Sequence, residues 1–468
     1  MLSGVSGERP TIPTQLWAGL GAIPVFAWWL GWHPGFASSD TIDQFSQLRT
    51  EVIYDHHAPL HTLYLDLLSL DGAVPGLVTL AQVLAFGGLL VYGAKWLIKA
   101  GAPSWLAIGA AWLLGLSPAV ATMTIALWKD VPFALVALWA WIELLAIAVD
   151  RDRLERIWPP VRLGLALAGL WLFRGNGPLT VILLGVVLLI VFWRQVRALA
   201  ITNGTLIVAI FVVLVPVYAI VDVQPSNVHP AEVFLSDVAA SLKAEPETFT
   251  QADLQLMEEV APFYVWDGRY DCYESTPLLF DSEFNHVPVR EKGDAWLALE
   301  LRVLLRDPDS VVAHRVCASN FLYSPAQPDG VYFHRPPYEI PSNEVGLTRR
   351  PVVEAAFQVT DRIWRWAEVD GRLWLTWRPA IVLLPALAAV VLFAARPEGR
   401  RFLIPSVILL AHLANVAATS PAQEFRFAYP LYLMSALTIP LVWPVLMGQE
   451  EMRRRPSESR RSSSGAMR

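Results

Sequence analysis

Apolar runs of roughly twenty residues recur along most of this chain, separated by short polar junctions. A helix of about 20 residues crosses a hydrocarbon layer about 30 Å thick, so such runs predict membrane-spanning helices. The pattern predicts ten, over 13–32, 73–94, 103–124, 131–149, 158–173, 178–193, 203–222, 379–395, 402–419 and 428–447. The fifth is short and carries Arg162. The apolar stretch 60–70 is too short to cross and predicts an interfacial or re-entrant helix. The first run exceeds the apolar core of a signal peptide, about 7–15 residues, and reads as a retained helix.

Residues 223–378 break the pattern with a polar insertion long enough for a small domain. It carries helical stretches at 231–244 and 294–306, and the joint Pro336-Pro337. The predicted organisation is therefore a membrane module over 1–222, with a first outer loop at 33–72, then a domain over 223–378. Membrane helices follow over 379–447, then a disordered basic tail over 448–468. Gly/Pro-broken spans do not recur in matching positions, as an inverted-repeat transporter would show. The expected fold class is an all-α polytopic membrane protein with an extracytoplasmic insertion domain, mainly α or α+β.

Composition supports this. Apolar residues make up 54% and charged residues 17%, against about a quarter charged in soluble domains. Mean hydropathy is +0.42. The 20 tryptophans suit interfacial aromatic belts. Basic residues occur as short loop clusters and a tail, so nothing marks a nucleic-acid partner. Their placement instead sets orientation by the positive-inside rule. With the N-terminus inside, the inner segments hold Arg9, Lys95, Lys99, Arg151, Arg153, Arg156, Arg194, Arg197, Arg396, Arg400, Arg401 and the tail arginines. The short outer segments hold only Arg49, Lys129, Arg174 and Arg426. The expected topology places both termini on the cytoplasmic side. Both cysteines, Cys272 and Cys317, fall in the outer insertion, where an oxidising exterior permits one disulfide between them.

In that orientation five polar clusters reach the same outer side, each at the end of an apolar segment. Ser38 or Ser39 can cap a helix whose apolar residues Ile42, Phe45, Leu48 and Val52 recur at helical spacing, an amphipathic helix along the interface. Asp40 is in its first turn, with Asp43 and Gln44 following. A carboxylate there can serve as a general base or simply favour the helix N-terminus. In Asp55-His56-His57, with His61 four residues on, His57 and His61 could share a helix face and bind a divalent metal with Asp55 or Asp43. Lys129-Asp130 offers either a local ion pair or a cation for a lipid-linked phosphate. In Arg174-Gly175-Asn176-Gly177, the glycines allow close backbone approach, and Arg174 offers a bidentate fork for phosphate. In Glu424-Phe425-Arg426, the arginine suits an anionic donor and Glu424 a sugar hydroxyl. Together, acids and cations on short outer loops suit transfer from a phosphate leaving group to an alcohol.

The ordered set resembles the polytopic GT-C fold glycosyltransferases, and within them a family of bacterial membrane proteins. The pattern runs Pro34-Gly35 to Asp40 and Gln44, Asp55-His56-His57-Ala58-Pro59 to Thr62, Lys129-Asp130-Val131, Arg174 to Gly177, and Glu424-Phe425-Arg426-Phe427 to Pro430. Two positions depart from it: Ala58 stands in place of Pro and Phe427 in place of Tyr. The resemblance implies that Asp40 is the base of an inverting transfer from a polyprenyl-phosphate-linked sugar. The acceptor would be a glycan, lipid or protein of the cell envelope. Substrate contacts would come from Asp43, Gln44, His57, Lys129, Asp130, Arg174, Asn176, Glu424 and Arg426. No certain cofactor is implied beyond a possible divalent metal. A transporter or lipid flippase, and a membrane sensor or scaffold, are the competing readings, with a polysaccharide polymerase or ligase a closer relative in chemistry.

Overall fold

The structure, a computed structural model, describes residues 13–226 and 230–448. The basic tail expected beyond the last helix lies outside the described residues. Among those described, helices make up all of the regular structure, and the only β-type pairings are isolated bridges. The α+β alternative for the insertion is therefore not what forms.

Among the described residues, six helices are long and apolar enough to cross a membrane: Gly76–Lys99, Asp130–Val149, Val196–Ile220, Asp370–Ala395, Pro397–Thr419 and Phe425–Gly448. The run expected at 103–124 is a pair, Ser104–Leu116 and Pro118–Thr124, bent by 70° at Ser117. Pro118 cannot donate to the preceding turn, and Ser117 caps the new helix by accepting from Val120 N. The remaining runs form shorter helices: Leu16–Trp32, Trp158–Leu172 and Gly177–Val191. The chain is thus a helical protein with the spans of a multi-pass membrane protein.

Asp130–Val149 is the hub. Its apolar window is 89% buried, and the helices at 76–99, 158–172, 403–419 and 425–438 pack around it. A helix that is apolar all round belongs in such a place. Its one mid-helix charge, Glu143, is fully buried and held by Arg153 and Arg162 at 3.1 and 2.8 Å, with Tyr92 and Trp139 donating to it. An uncompensated carboxylate there would cost several kcal/mol. Val196–Ile220 is the opposite case. Only 11% of its window is buried, and it packs mainly on the 158–172 helix. Pro216 interrupts it, within a π-helical turn at Val213–Val217.

The insertion has its own core. Leu235, Trp266, Trp296, Leu299 and Val303 are buried together, drawn from helices that include Leu235–Ala244 and Gly293–Arg306, close to the stretches predicted. The segment 420–424, between the last two membrane helices, is stitched to this insertion. Ser275 N donates to Pro421 O at 2.8 Å, His334 N to Gln423 O at 2.8 Å, and Phe425 N to His334 O at 3.1 Å. Fully buried Arg378 donates to Gln423 Oε1, Asn320 Oδ1 and two backbone carbonyls. The insertion therefore sits on one end of the bundle and fixes the backbone just before Glu424.

Cys272 and Cys317 lie at disulfide-bonding distance, with Cα atoms 5.7 Å apart across 45 residues of sequence. Closing a loop of that length removes unfolded-state entropy worth roughly 4 kcal/mol in the chain-entropy account. Protein alkylated without reductant should therefore retain both cysteines unmodified by intact mass. Cys272→Ser should lower stability by roughly 2–4 kcal/mol in denaturant unfolding of the detergent-solubilised protein.

Candidate functional site

The insertion end of the bundle gathers most of the predicted polar residues, and backbone pairing explains how. Phe36 and Leu127 pair through Phe36 N to Ile125 O at 3.1 Å and Leu127 N to Phe36 O at 2.8 Å. Gly35 makes this approach possible: its φ is +128°, and a Cβ would meet Ile125 O at 2.1 Å. Ser38 then caps the Ser39–Thr50 helix in a capping box with Thr41, whose hydroxyl donates to Leu127 O at 3.0 Å. Asp40 and Lys129, 89 positions apart, are brought together this way.

The charges pair across loops. Asp40 Oδ2 accepts from Arg426 Nη1 at 2.9 Å, and Arg426 Nε binds Glu424. Arg174 Nη1 lies 3.0 Å from Asp130 Oδ1, with both side chains buried. Asp130, expected among substrate contacts, is thus the counter-ion of Arg174. The two guanidiniums lie on Phe427, their Cζ atoms 4.6 Å (Arg174) and 5.2 Å (Arg426) from the ring centroid. Such a contact needs an aromatic face and no hydroxyl, so Phe serves here in place of Tyr.

Lys129 is different. Among the described residues it has no carboxylate within ion-pair distance, and its Nζ is 3.0 Å from His57 Nδ1. Burial and the neighbouring ammonium hold the His57 pKa down to about 3, so the imidazole is neutral. Burial alone would raise the Asp40 carboxyl, but Arg426, Lys129 and His57 outweigh it and bring it down to about 2. Asp40 is therefore ionised at any ordinary pH.

Asp43, His56 and His57 offer ligand atoms within 4.8 Å of one another. Asp43 Oδ2 accepts from His56 Nε2 at 2.9 Å and from Gln47 at 2.6 Å, and lies 3.6 Å from His57 Nε2. The composition suits Zn²⁺. The protonation does not. An ammonium donating to His57 Nδ1 leaves the ring proton on Nε2, the atom a metal would need. A dication would also sit beside Lys129. The arrangement fits a proton and hydrogen-bond network, and no metal step is derived from it.

Three predicted residues are used structurally. His61 and Gln44, 0% and 2% exposed, hold each other at 3.0 Å, and Gln44 also donates to Thr62. His61 is thus outside the Asp43 cluster, and His56 takes its place. His57 shares no helix face with it, because the helix begins at Pro59. Asn176 donates to Thr419 and accepts from Asn415 through its backbone carbonyl, tying the 174–177 turn to the 403–419 helix. The Ser39–Thr50 helix also differs from expectation. Its apolar face packs on Leu65, Val78, Leu127 and Leu347 within the protein.

Sequence reasoning also missed a groove of about 730 Å³ at this site. Its polar end has His56, Lys129 and Arg174, while Trp171, Leu214 and Val215 are among its apolar walls. The available signal was Pro216, which breaks the 196–220 helix beside that wall.

The Asp40 shift fixes a pH dependence. A carboxyl whose folded pKa lies below its unfolded value near 4 contributes stability that is present above pH 4 and lost as pH falls from about 4 to 2. Across that window, the melting temperature of the wild type should drop more steeply than that of Asp40→Asn, read by thermal unfolding in detergent. No protein-family model, curated protein or solved structure matches this chain, and the chemistry of the site rests on its own geometry.

Proposed function

We propose that this protein is an inverting membrane glycosyltransferase that moves a sugar from a polyprenyl-phosphate donor to a hydroxyl of a cell-envelope acceptor. The observation that carries the reading is Asp40, an ionised carboxylate paired with Arg426 and beside Lys129, which itself lines a groove with apolar walls. In this reading the chain crosses a bacterial plasma membrane ten times, and both termini are cytoplasmic. The insertion and the site face outside, as the resemblance to GT-C enzymes implies.

The donor phosphate takes Lys129 first, the cation not already neutralised by a carboxylate, and then Arg174. Its hydrocarbon chain lies along Trp171, Leu214 and Val215. Phosphate charge offsets the cations that depress Asp40, so the carboxylate becomes a better proton acceptor when the donor is bound. The acceptor oxygen attacks the anomeric carbon and its proton passes to Asp40. The carbon–oxygen bond to phosphate breaks, and the phosphate leaves with the bonding electrons and gains negative charge. Lys129, Arg174 and Arg426 are placed to stabilise that charge, and one such preorganised contact is worth roughly 3–4 kcal/mol. Glu424 keeps Arg426 oriented.

Purified protein in lipid nanodiscs, given a polyprenyl-phosphate sugar and an envelope extract as acceptor, should form new glycosidic bonds. Asp40→Asn should lower the rate by roughly 10²–10⁴-fold in protein that is still folded at neutral pH, though with a lower melting temperature from the lost Arg426 pair, and Lys129→Met should weaken donor binding as well. Full activity in Asp40→Asn would remove the base assignment. Passage of the donor across sealed vesicles with no new bond would assign the groove to a flippase.

A further inference from the structure

A second cavity lies away from the Asp40 site, between the insertion and the membrane helices. It measures about 560 Å³, within the range of small-molecule sites, about 300–1,000 Å³. One wall is the outward face of Gly293–Arg306, with Leu297, Leu301 and Leu304 at helical spacing. The opposite face of the same helix carries Trp296, Leu299 and Val303 into the insertion core. The helix is therefore apolar on two sides, and the insertion core accounts for only one. Val312 and Val316 of the next helix extend the wall. Leu301 and Val312 are 56% and 55% exposed. Leucines in this number facing water would form an unusual patch for a polar domain.

The other wall says what they face. Ala414, Ala417 and Ala418 stand near the end of the membrane-spanning helix Pro397–Thr419. The cavity is thus continuous with a lipid-facing surface, at the depth where that helix meets the insertion. Small side chains there leave room for a chain to lie against the helix.

The floor is polar and balanced. Arg315 donates to Asp237 Oδ2 through Nε at 3.0 Å and also through Nη2, so the two charges cancel. Glu300 lies between the leucines and faces this pair, and among the described residues its buried Oε1 has no hydrogen-bond partner. Burial, with Asp237 nearby, pushes its carboxyl up to about 8, so at neutral pH it is mostly protonated and can both donate and accept. A floor with no net charge and a free donor–acceptor pair matches a hydroxyl, whereas a phosphate would meet Asp237 and Glu300 without a spare cation.

We infer that this cavity binds a membrane amphiphile with an uncharged, hydroxyl-bearing head group, its hydrocarbon chain between the leucine face and the 397–419 helix and its head on Glu300 and Arg315. The chemical class is that of a neutral glycolipid or a long-chain alkyl glycoside. The inference does not depend on sugar transfer at Asp40. Arg315 Nη1 also donates to Ser420 O at 3.5 Å, in the segment that leads to Glu424 and Arg426.

The test uses full-length protein in nanodiscs of phosphatidylethanolamine and phosphatidylglycerol. Two photoreactive probes share one alkyl chain, and one carries a glucosyl head and the other a phosphate head. The glucosyl probe should label peptides within 297–316 and 411–418. The double substitution Leu301→Trp/Val316→Trp should cut this labelling by roughly tenfold, and Ala417→Trp, which fills the cavity from the other wall, should do the same if the double variant unfolds. Glu300→Ala should weaken the glucosyl probe by roughly tenfold, Glu300→Gln should retain most of it, and Asp40→Asn should leave it unchanged. Equal or stronger labelling by the phosphate probe overturns the inference. So does labelling that ignores the tryptophan substitutions. A dimer by light scattering that Leu301→Glu disperses, with no labelling of the cavity, would give the leucine face to a second copy of the chain and equally overturn it.

Discussion

Charges gathered at the end of an apolar bundle must neutralise one another, and this constraint organises the insertion end of the molecule. Asp130 pairs with Arg174, and Asp40 and Glu424 share Arg426, which leaves one negative charge for Lys129 to balance without a direct ion pair. Removing one member of a buried pair costs roughly 3–5 kcal/mol, because it strands the other. One of these pairs also joins distant parts of the chain: Asp40 and Arg426 are separated by 386 positions. The same electrostatics that closes the fold therefore builds the site, and the ionised state of Asp40 follows from it.

The insertion supplies the second half of the arrangement. A short segment between two membrane helices would ordinarily be free to shift. Here 420–424 is held by backbone bonds from Ser275 and His334 and by the guanidinium of Arg378. Glu424 and Arg426 thus inherit the rigidity of a separate packed domain. The 174–177 turn is fixed differently, by Asn176 to Thr419 and Asn415 on the neighbouring helix. Of the residues that read as ligand contacts in the sequence, Gln44, Asn176 and Asp130 make contacts within the protein that hold their neighbours.

Much of this was legible in the sequence, and what was not has a physical reason. Hydropathy locates the helices because lipid solvation acts on composition, which sequence records directly. The polar clusters at their ends are visible for the same reason. Partner choice is different. Nothing local to Asp130 says that Arg174 will neutralise it, since that depends on which helices become neighbours. Spacing placed His57 and His61 on one face, but Pro59 begins the helix after His57, and His56 reaches Asp43 instead. The apolar stripe of Ile42, Phe45 and Leu48 reads as the face of an amphipathic helix along the interface. Periodicity cannot say what covers it, and protein does rather than lipid.

The lightly held 196–220 helix has a consequence for what this molecule can accommodate. A wall packed mainly along one neighbour leaves most of its own surface exposed. The groove behind it is thus a berth approached from the side, and a long tail need not be threaded through a pore. A molecule bound there would be measured by its head, against fixed cations at one end, while its tail stays in the bilayer. Under the proposed function, such a site would read charge and ignore chain length.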